Sequence, residues 1–414
     1  MKTTISNFKA IVLYGIVSFF LFFEMAIQVS PSVMSSQLMH DLNLGTFGLG
    51  VMSGIYFYTY TAMQIPSGLL FDRYNPRVII TLSILTCVIG TFLFAISQNI
   101  YTGSLARLLM GSGSAFAFVS VLVVTADLFK PKYFAALTGT TQMLAALGAM
   151  TGQMPISLLV VQMGWRNTLF TLFVIGCVLA IAVWTLLKYP QSNAPKKSSP
   201  SFNTQSNLRN IVSHPQTWFI ALYSCLLWAP MSSFASLWGV PFLIKVYHFE
   251  QTKAAFLCSL MWLGLAIASP FLGILSTAFK NRVFPLAASA LIGAISFYFV
   301  LEINLPAMLV GLFLFFAGAA CSGQALSFAV VKENNLNSAK GTAIAFNNMA
   351  VVVSGALFQP IIGKLLESDK MHSMETYDVN NFKNVLLIVL FSYVLSFLVA
   401  VFFIKEPCHG VGIQ

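Results

Sequence analysis

Gly68-Leu69-Leu70-Phe71-Asp72-Arg73-Tyr74-Asn75-Pro76-Arg77 places one acid and two arginines between two long apolar runs, near residues 46–70 and 77–97. A helix that crosses a bilayer needs roughly 20 apolar residues, and each run supplies them. The charged decapeptide therefore reads as a tight turn at a membrane surface. Asn75 tolerates a left-handed turn conformation, Pro76 suits the first position of the following helix, and Gly68 lets another helix approach closely. A plain stop-transfer loop has the same composition.

The rest of the chain repeats this alternation. Of its 414 residues, 57% are hydrophobic and 8% are charged, and the mean hydropathy is +0.82, far from an ordinary soluble domain. The 38 phenylalanines exceed what one soluble core would bury but suit helices facing acyl chains. The net charge of +10 does not mark a nucleic-acid binder, because the 22 Lys and Arg are scattered through short loops with no basic face. Cys87, Cys177, Cys225, Cys258 and Cys321 sit inside apolar runs with no CxxC pair and no histidine at ligand spacing, so neither a disulfide framework nor a metal site is expected. His40, His214, His248, His372 and His409 all fall at loops or ends and receive no role. The run from Phe8 past Met34 outlasts a signal-peptide core and reads as a retained first helix.

On this scale the first half holds spans near 8–36, 46–70, 77–97, 101–128, 133–160 and 166–187. The second holds spans near 215–246, 252–278, 283–301, 306–331, 339–364 and 383–404. Residues 188–213, with Gln191, Ser192, Asn193, Pro195, Lys196 and Lys197, have linker composition. The fold expected is an all-α membrane protein of twelve transmembrane helices in two pseudo-symmetric six-helix bundles, residues 1–187 and 214–414. Charge bias orients such a chain. Lys2, Arg73, Arg77, Lys130 and Lys405 fall on one face with most of the other cations, which predicts that both termini and the linker are cytoplasmic.

A shift of 205 residues superposes the halves without a gap over spans 2–5 and 8–11. It pairs Gly68 with Gly273, Gly113 with Gly318, Gln142 with Asn347 and Pro155 with Pro360. Small residues and prolines are common in all membrane helices; the constant register is what carries the argument. A duplicated helical unit is an architecture in which two halves rock around a site near the bilayer midplane.

Polar residues inside spans are then the candidates for function. Glu24 is the acid lying well inside a span, so it is the candidate for proton coupling; its alternatives are a structural carboxyl or a ligand for a substrate amine. Gln28 lies one turn beyond it on the same face. Arg107 sits about six residues, or ~9 Å, inside its span and is expected to stabilise the Glu24 anion or a substrate carboxylate. Tyr56 and Tyr60, four apart, either line a wet cavity or bond across a helix interface. Gln142, Gln324 and Asn347 either bind substrate or glue helices. Trp228 offers an aromatic contact from the second half, whose seventh span carries Ser224, Ser232 and Ser233 but no charge before Lys245 at its outer end. No GxxxxGK[ST] pattern and no arginine-crowded span is present, so neither ATP drive nor voltage gating is indicated.

The order Gly, Asp-Arg, then basic in the opening decapeptide resembles the signature loop of the major facilitator superfamily, with Asn75-Pro76 in place of that family's usual glycine. Arg107-Leu108-Leu109-Met110-Gly111-Ser112-Gly113, Gly164-Trp165-Arg166 and Gly341-Thr342-Ala343 extend the resemblance over essentially the whole chain. It implies that Asp72, Arg73 and Arg77 are gating residues with Asp127 as their ionic partner. The glycine-proline-glycine signature of the superfamily's drug/proton antiporters is missing from the fifth span. The variant loop, the acid-bearing first span and Thr140-Thr141-Gln142-Met143 look like the phagosomal nutrient transporters of intracellular bacteria, a branch that imports amino acids or nucleosides.

The function expected is import of a small polar metabolite, an amino acid first, by proton symport and alternating access. The substrate contacts expected are Glu24, Gln28, Tyr56, Tyr60, Arg107, Gln142, Trp228, Gln324 and Asn347. A nucleoside importer, a proton-coupled drug or siderophore exporter and a non-transporting receptor are the alternatives. No enzyme activity, cofactor, metal or nucleic acid is expected. The chain is expected to be a monomer in a bacterial inner membrane, with substrate, protons and lipid as its partners.

Overall fold

The computed structural model describes residues 7–187, 211–278, 281–335, 340–367 and 379–406. The expected linker is outside these except for 211–213, as is most of the polar connection expected at 367–381. All described regular structure is helical. The helices are α1 (Asn7–Val29), α2 (Ser35–Asp41), α3 (Thr46–Arg73), α4 (Pro76–Ala95), α5 (Ile100–Ser114), α6 (Ala117–Leu128), α7 (Pro131–Thr151) and α8 (Met154–Leu186). They continue with α9 (Pro215–Ala229), α10 (Gly239–Tyr247), α11 (Gln251–Ala278), α12 (Val283–Glu302), α13 (Ala307–Ala320), α14 (Gly323–Glu333), α15 (Lys340–Leu366) and α16 (Val379–Phe402).

The all-α membrane fold is the one expected. Among the described residues, ten stretches are long and apolar enough to cross a bilayer. One of them, Leu137–Leu186, runs 50 residues and turns at Gly164, whose φ of 78° and ψ of 163° a side chain would strain. The 28-residue α3 is not among the ten.

Several of the helices at the expected spans are broken. The fourth span pauses between α5 and α6 at Ala115–Phe116, and the tenth between α13 and α14 at Cys321–Ser322, within one residue of the same place in the 205-residue register. Pro31 ends α1 and a 3-10 turn, Ser30–Val33, follows. Pro230 opens a π-helical stretch, Pro230–Trp238, inside the seventh span. A proline lacks the N–H that would close the preceding turn, and wider or tighter turns absorb the mismatch. Asn75 is not left-handed. Its backbone is extended, its Oδ1 accepts from Arg77 N at 2.9 Å, and it caps α4 behind Pro76.

Two compact units are formed. The first comprises Met1–Ser198, Ala235–Ser259 and Gly355–Val385; the second comprises Ser199–Phe234, Leu260–Ser354 and Leu386–Gln414. In the first, Gly148 on α7 and Gly152 just past its end lie against the backbone of α1 at Phe22 and Ala26, where a Cβ would be under 3 Å from either carbonyl oxygen. This small-xxx-small pair holds α1 rigidly on both sides of Glu24. In the same unit Gln153, at the α7–α8 break, donates to the Ala235 carbonyl at 2.5 Å, inside the π-helical stretch.

Candidate functional site

The last four carbonyls of an α-helix have no partner within it. In α1 the Ile27 oxygen would have bonded the N–H of residue 31, which proline does not have. Arg107, on α5, fills that gap: Nη1 donates to Ile27 O at 3.1 Å and Nη2 to Gln28 O at 3.3 Å. Ser30 Oγ also donates to Ile27 O, at 3.1 Å. A guanidinium can do this because its nitrogens form a planar fork. Arg107 is 1% exposed and acts as the cap of the broken first helix.

Glu24, one turn earlier, is fully buried. Tyr56 on α3 donates to its Oε1 at 2.5 Å. The Tyr56 ring lies 4.5 Å under the Arg107 guanidinium and 6.1 Å from Tyr60, nearly parallel to it. Glu24 Oε2 and Arg107 Nε are buried with no hydrogen-bond partner among the described residues. The structure thus brings together Glu24, Gln28, Tyr56, Tyr60 and Arg107. Arg107 makes no ion pair with Glu24 among the described residues; Tyr56 stands between them, bonded to one and stacked on the other.

The remaining candidates lie elsewhere. Gln142 is exposed on α7. Asn347 on α15 is fully buried in a triad: its Oδ1 is 2.9 Å from Ser224 Oγ, and its Nδ2 donates to Ser327 Oγ at 2.9 Å, with the two hydroxyls 2.8 Å apart. That geometry ties α9, α14 and α15 together. Asn347→Ala is expected to lower stability by about 1–2 kcal/mol, read as a fall in Tm of the purified protein, with an unchanged KM. Trp228 is half-buried, its ring 6.3 Å from Trp262 and nearly perpendicular to it. Gln324 is 8% exposed at the start of α14.

The ion network implied for the opening loop is not formed among the described residues. Arg77 stacks on Trp184 at 4.1 Å instead, Arg73 and Asp127 are exposed, and the Asp72 side chain lies outside the described residues. The second repeat carries such a network. Arg282, the 205-residue counterpart of Arg77, donates to Glu333 from Nε at 3.2 Å and from Nη2 at 2.9 Å. Glu406 accepts from the backbone N–H groups of Arg282 and Val283 at the start of α12, where an anion suits the helix dipole. The repeat register pointed to Arg282; no local pattern pointed to Glu333 or Glu406.

A third polar cluster joins α2 to α8. Trp165 Nε1 donates to Asp41 Oδ2 at 2.8 Å, Trp165 N donates to Gln37 at 3.2 Å, and Arg166 stacks on Trp165 at 4.2 Å. Arg166 also donates to the Ala95 and Ser97 carbonyls at 3.0 and 2.7 Å. Hydrogen bonds from His40 and then Trp165 hold the Asp41 carboxyl below the ordinary carboxylate range.

A polytopic helical chain whose buried acid, tyrosine and arginine meet on three helices has the build of a solute carrier. Residues 14–360 match the family model for the Major Facilitator Superfamily, and the chain belongs to that family. It is 27% identical over 164 residues to the uncharacterized transporter YybO of Bacillus subtilis (strain 168), covering 40% of this chain and 38% of that one. It is 23% identical over 246 residues to the probable L-galactonate transporter of Escherichia coli (strain K12), covering 59% of this chain and 54% of that one. The chain thus matches about two fifths to one half of the length of these relatives. A bacterial homologue of the human lysosomal transporter Spinster, solved inward-facing and unoccupied, superposes with a TM-score of 0.80 at 15% identity, over 96% of this chain and 98% of that one.

Proposed function

We propose that this carrier imports a small polar metabolite by proton symport, with Glu24 as the proton site. The observation that carries the reading is the state of that carboxyl: fully buried, one oxygen bonded by Tyr56 and, among the described residues, the other without a partner and no cation paired with it. An unpaired charge is costly at such a place, so the group favours carrying a proton when it is enclosed and can release it when it meets water. Arg107 stays close enough, across the Tyr56 ring, to stabilise the anion in that second state.

An amino acid leads the substrate classes, with Glu24 facing an amine and Gln28, Tyr56 and Tyr60 supplying neutral contacts. A substrate carboxylate would reach Arg107 by displacing the Ile27 and Gln28 carbonyls. An organic acid is the second reading, favoured by the L-galactonate named for one relative. Gln142, Trp228 and Gln324 are proposed as contacts on the substrate's path, and Arg73, Arg77, Asp72 and Asp127 as gating residues in other states of the cycle.

Proteoliposomes holding the wild-type protein test this. Labelled amino acids, nucleosides, sugars and sugar acids are offered with an inward proton gradient. One class is expected to accumulate and to be released when a protonophore is added. Accumulation that ignores the proton gradient removes the symport reading, and dye efflux without any uptake removes import.

A further inference from the structure

A cavity of about 480 Å³ lies between α1 and α8, lined by Val12, Gly15, Ile16 and Phe19 on one side and by residues such as Val174, Val178 and Ala182 on the other. Each set recurs every three to four residues, so each is one face of a helix. The helices run antiparallel and touch at Phe23 and Gly176, where a Cβ on the glycine would lie 3.0 Å from the Phe23 ring. On the side of the chain's N-terminus they part. Gly15 has no atom within 4 Å of where its Cβ would stand, so the notch is left open by the sequence itself. Phe19, Val174 and Val178 are all more than a third exposed on helices that span the bilayer, so the cavity opens toward lipid.

We propose that this groove holds one acyl chain of an anionic phospholipid, in the leaflet at the N-terminal end of α1, with Lys9 meeting its headgroup. The volume lies in the range of a ligand site, and no side chain lining it is polar. Hydrocarbon gains nothing from leaving other lipid tails for an apolar wall. Selectivity over bulk lipid therefore rests on shape and on charge. Shape comes from the Gly15 notch. Charge comes from Lys9, three residues before Val12 and on the same face of α1, exposed and without an ion pair among the described residues. A lysine near a membrane surface favours an anionic headgroup by about fivefold.

The test is native mass spectrometry of the full chain after equilibration in mixed vesicles of equimolar phosphatidylglycerol and phosphatidylcholine. The wild type is expected to carry one tightly held phosphatidylglycerol. Gly15→Leu, which fills the notch on a lipid-facing surface, should lose it, and Lys9→Gln should keep a lipid while losing about fivefold in preference for the anionic one. Far-ultraviolet circular dichroism and Tm show whether each variant is folded. Retention by folded Gly15→Leu equal to the wild type overturns the site. Equal retention of both lipids by the wild type, or a preference untouched by Lys9→Gln, overturns the anionic headgroup.

Discussion

Glu24→Gln is expected to abolish proton-driven accumulation while leaving exchange of substrate across the membrane intact. For one proton per substrate, an inward gradient of about one pH unit supports at most a ~tenfold substrate ratio, since a factor of ten is ~1.4 kcal/mol. In the variant that ratio should fall to about one. Glutamine keeps the shape, can still accept the Tyr56 hydroxyl and leaves a carbonyl oxygen for a substrate amine, so the fold and exchange persist, but it has no proton to exchange. Counterflow of labelled substrate between preloaded vesicles measures exchange, and a pH jump measures coupling. Accumulation in Glu24→Gln equal to the wild type would remove Glu24 from the proton path.

The second large effect is expected at Arg107. Arg107→Gln removes both donors to Ile27 O and Gln28 O and takes the cation off the Tyr56 ring. Losing a charged donor to a buried carbonyl costs about 1–3 kcal/mol, even though the Ser30 hydroxyl still reaches Ile27 O, and the position of α1 beyond Glu24 is weakened with it. Transport should fall to background and Tm should drop. A double-mutant cycle separates capping from charge. Pro31→Ala restores an N–H that can reach Ile27 O, so adding it to Arg107→Gln should return part of the lost Tm but none of the transport. Strict additivity of the two changes in Tm would show that Arg107 does not cap the helix.

Hydropathy and charge were enough to read the membrane fold, because a segment in lipid must satisfy its backbone internally and must look apolar along its whole length. The 205-residue register was legible because the paired residues keep one constant spacing over spans 2–5 and 8–11. Glu24 and Arg107 were legible because charge inside a span is costly and therefore conspicuous. Pairing was not. Opposite charges suggested that the arginine serves the acid or a substrate carboxylate, and only the three-dimensional structure shows it bonded to the end of α1, where Pro31, two turns past Glu24, leaves the Ile27 carbonyl without its helical donor.

The same limit applies to the amides and to the opening decapeptide. Gln142 and Asn347 are equivalent in the repeat, yet one is exposed and the other is locked between two serines, because burial depends on neighbours far away in the chain. Gly68 to Arg77 announced a turn between two membrane helices, and that much composition determined. Where Arg77 points was decided by packing: Trp184, more than a hundred residues later, offers its ring, while the ion pair belongs to Arg282 and Glu333 in the second repeat, with Glu406 on the neighbouring backbone N–H groups. A sequence fixes which residues cannot face lipid alone. Which partner relieves each of them is settled only when helices distant in the chain are brought side by side.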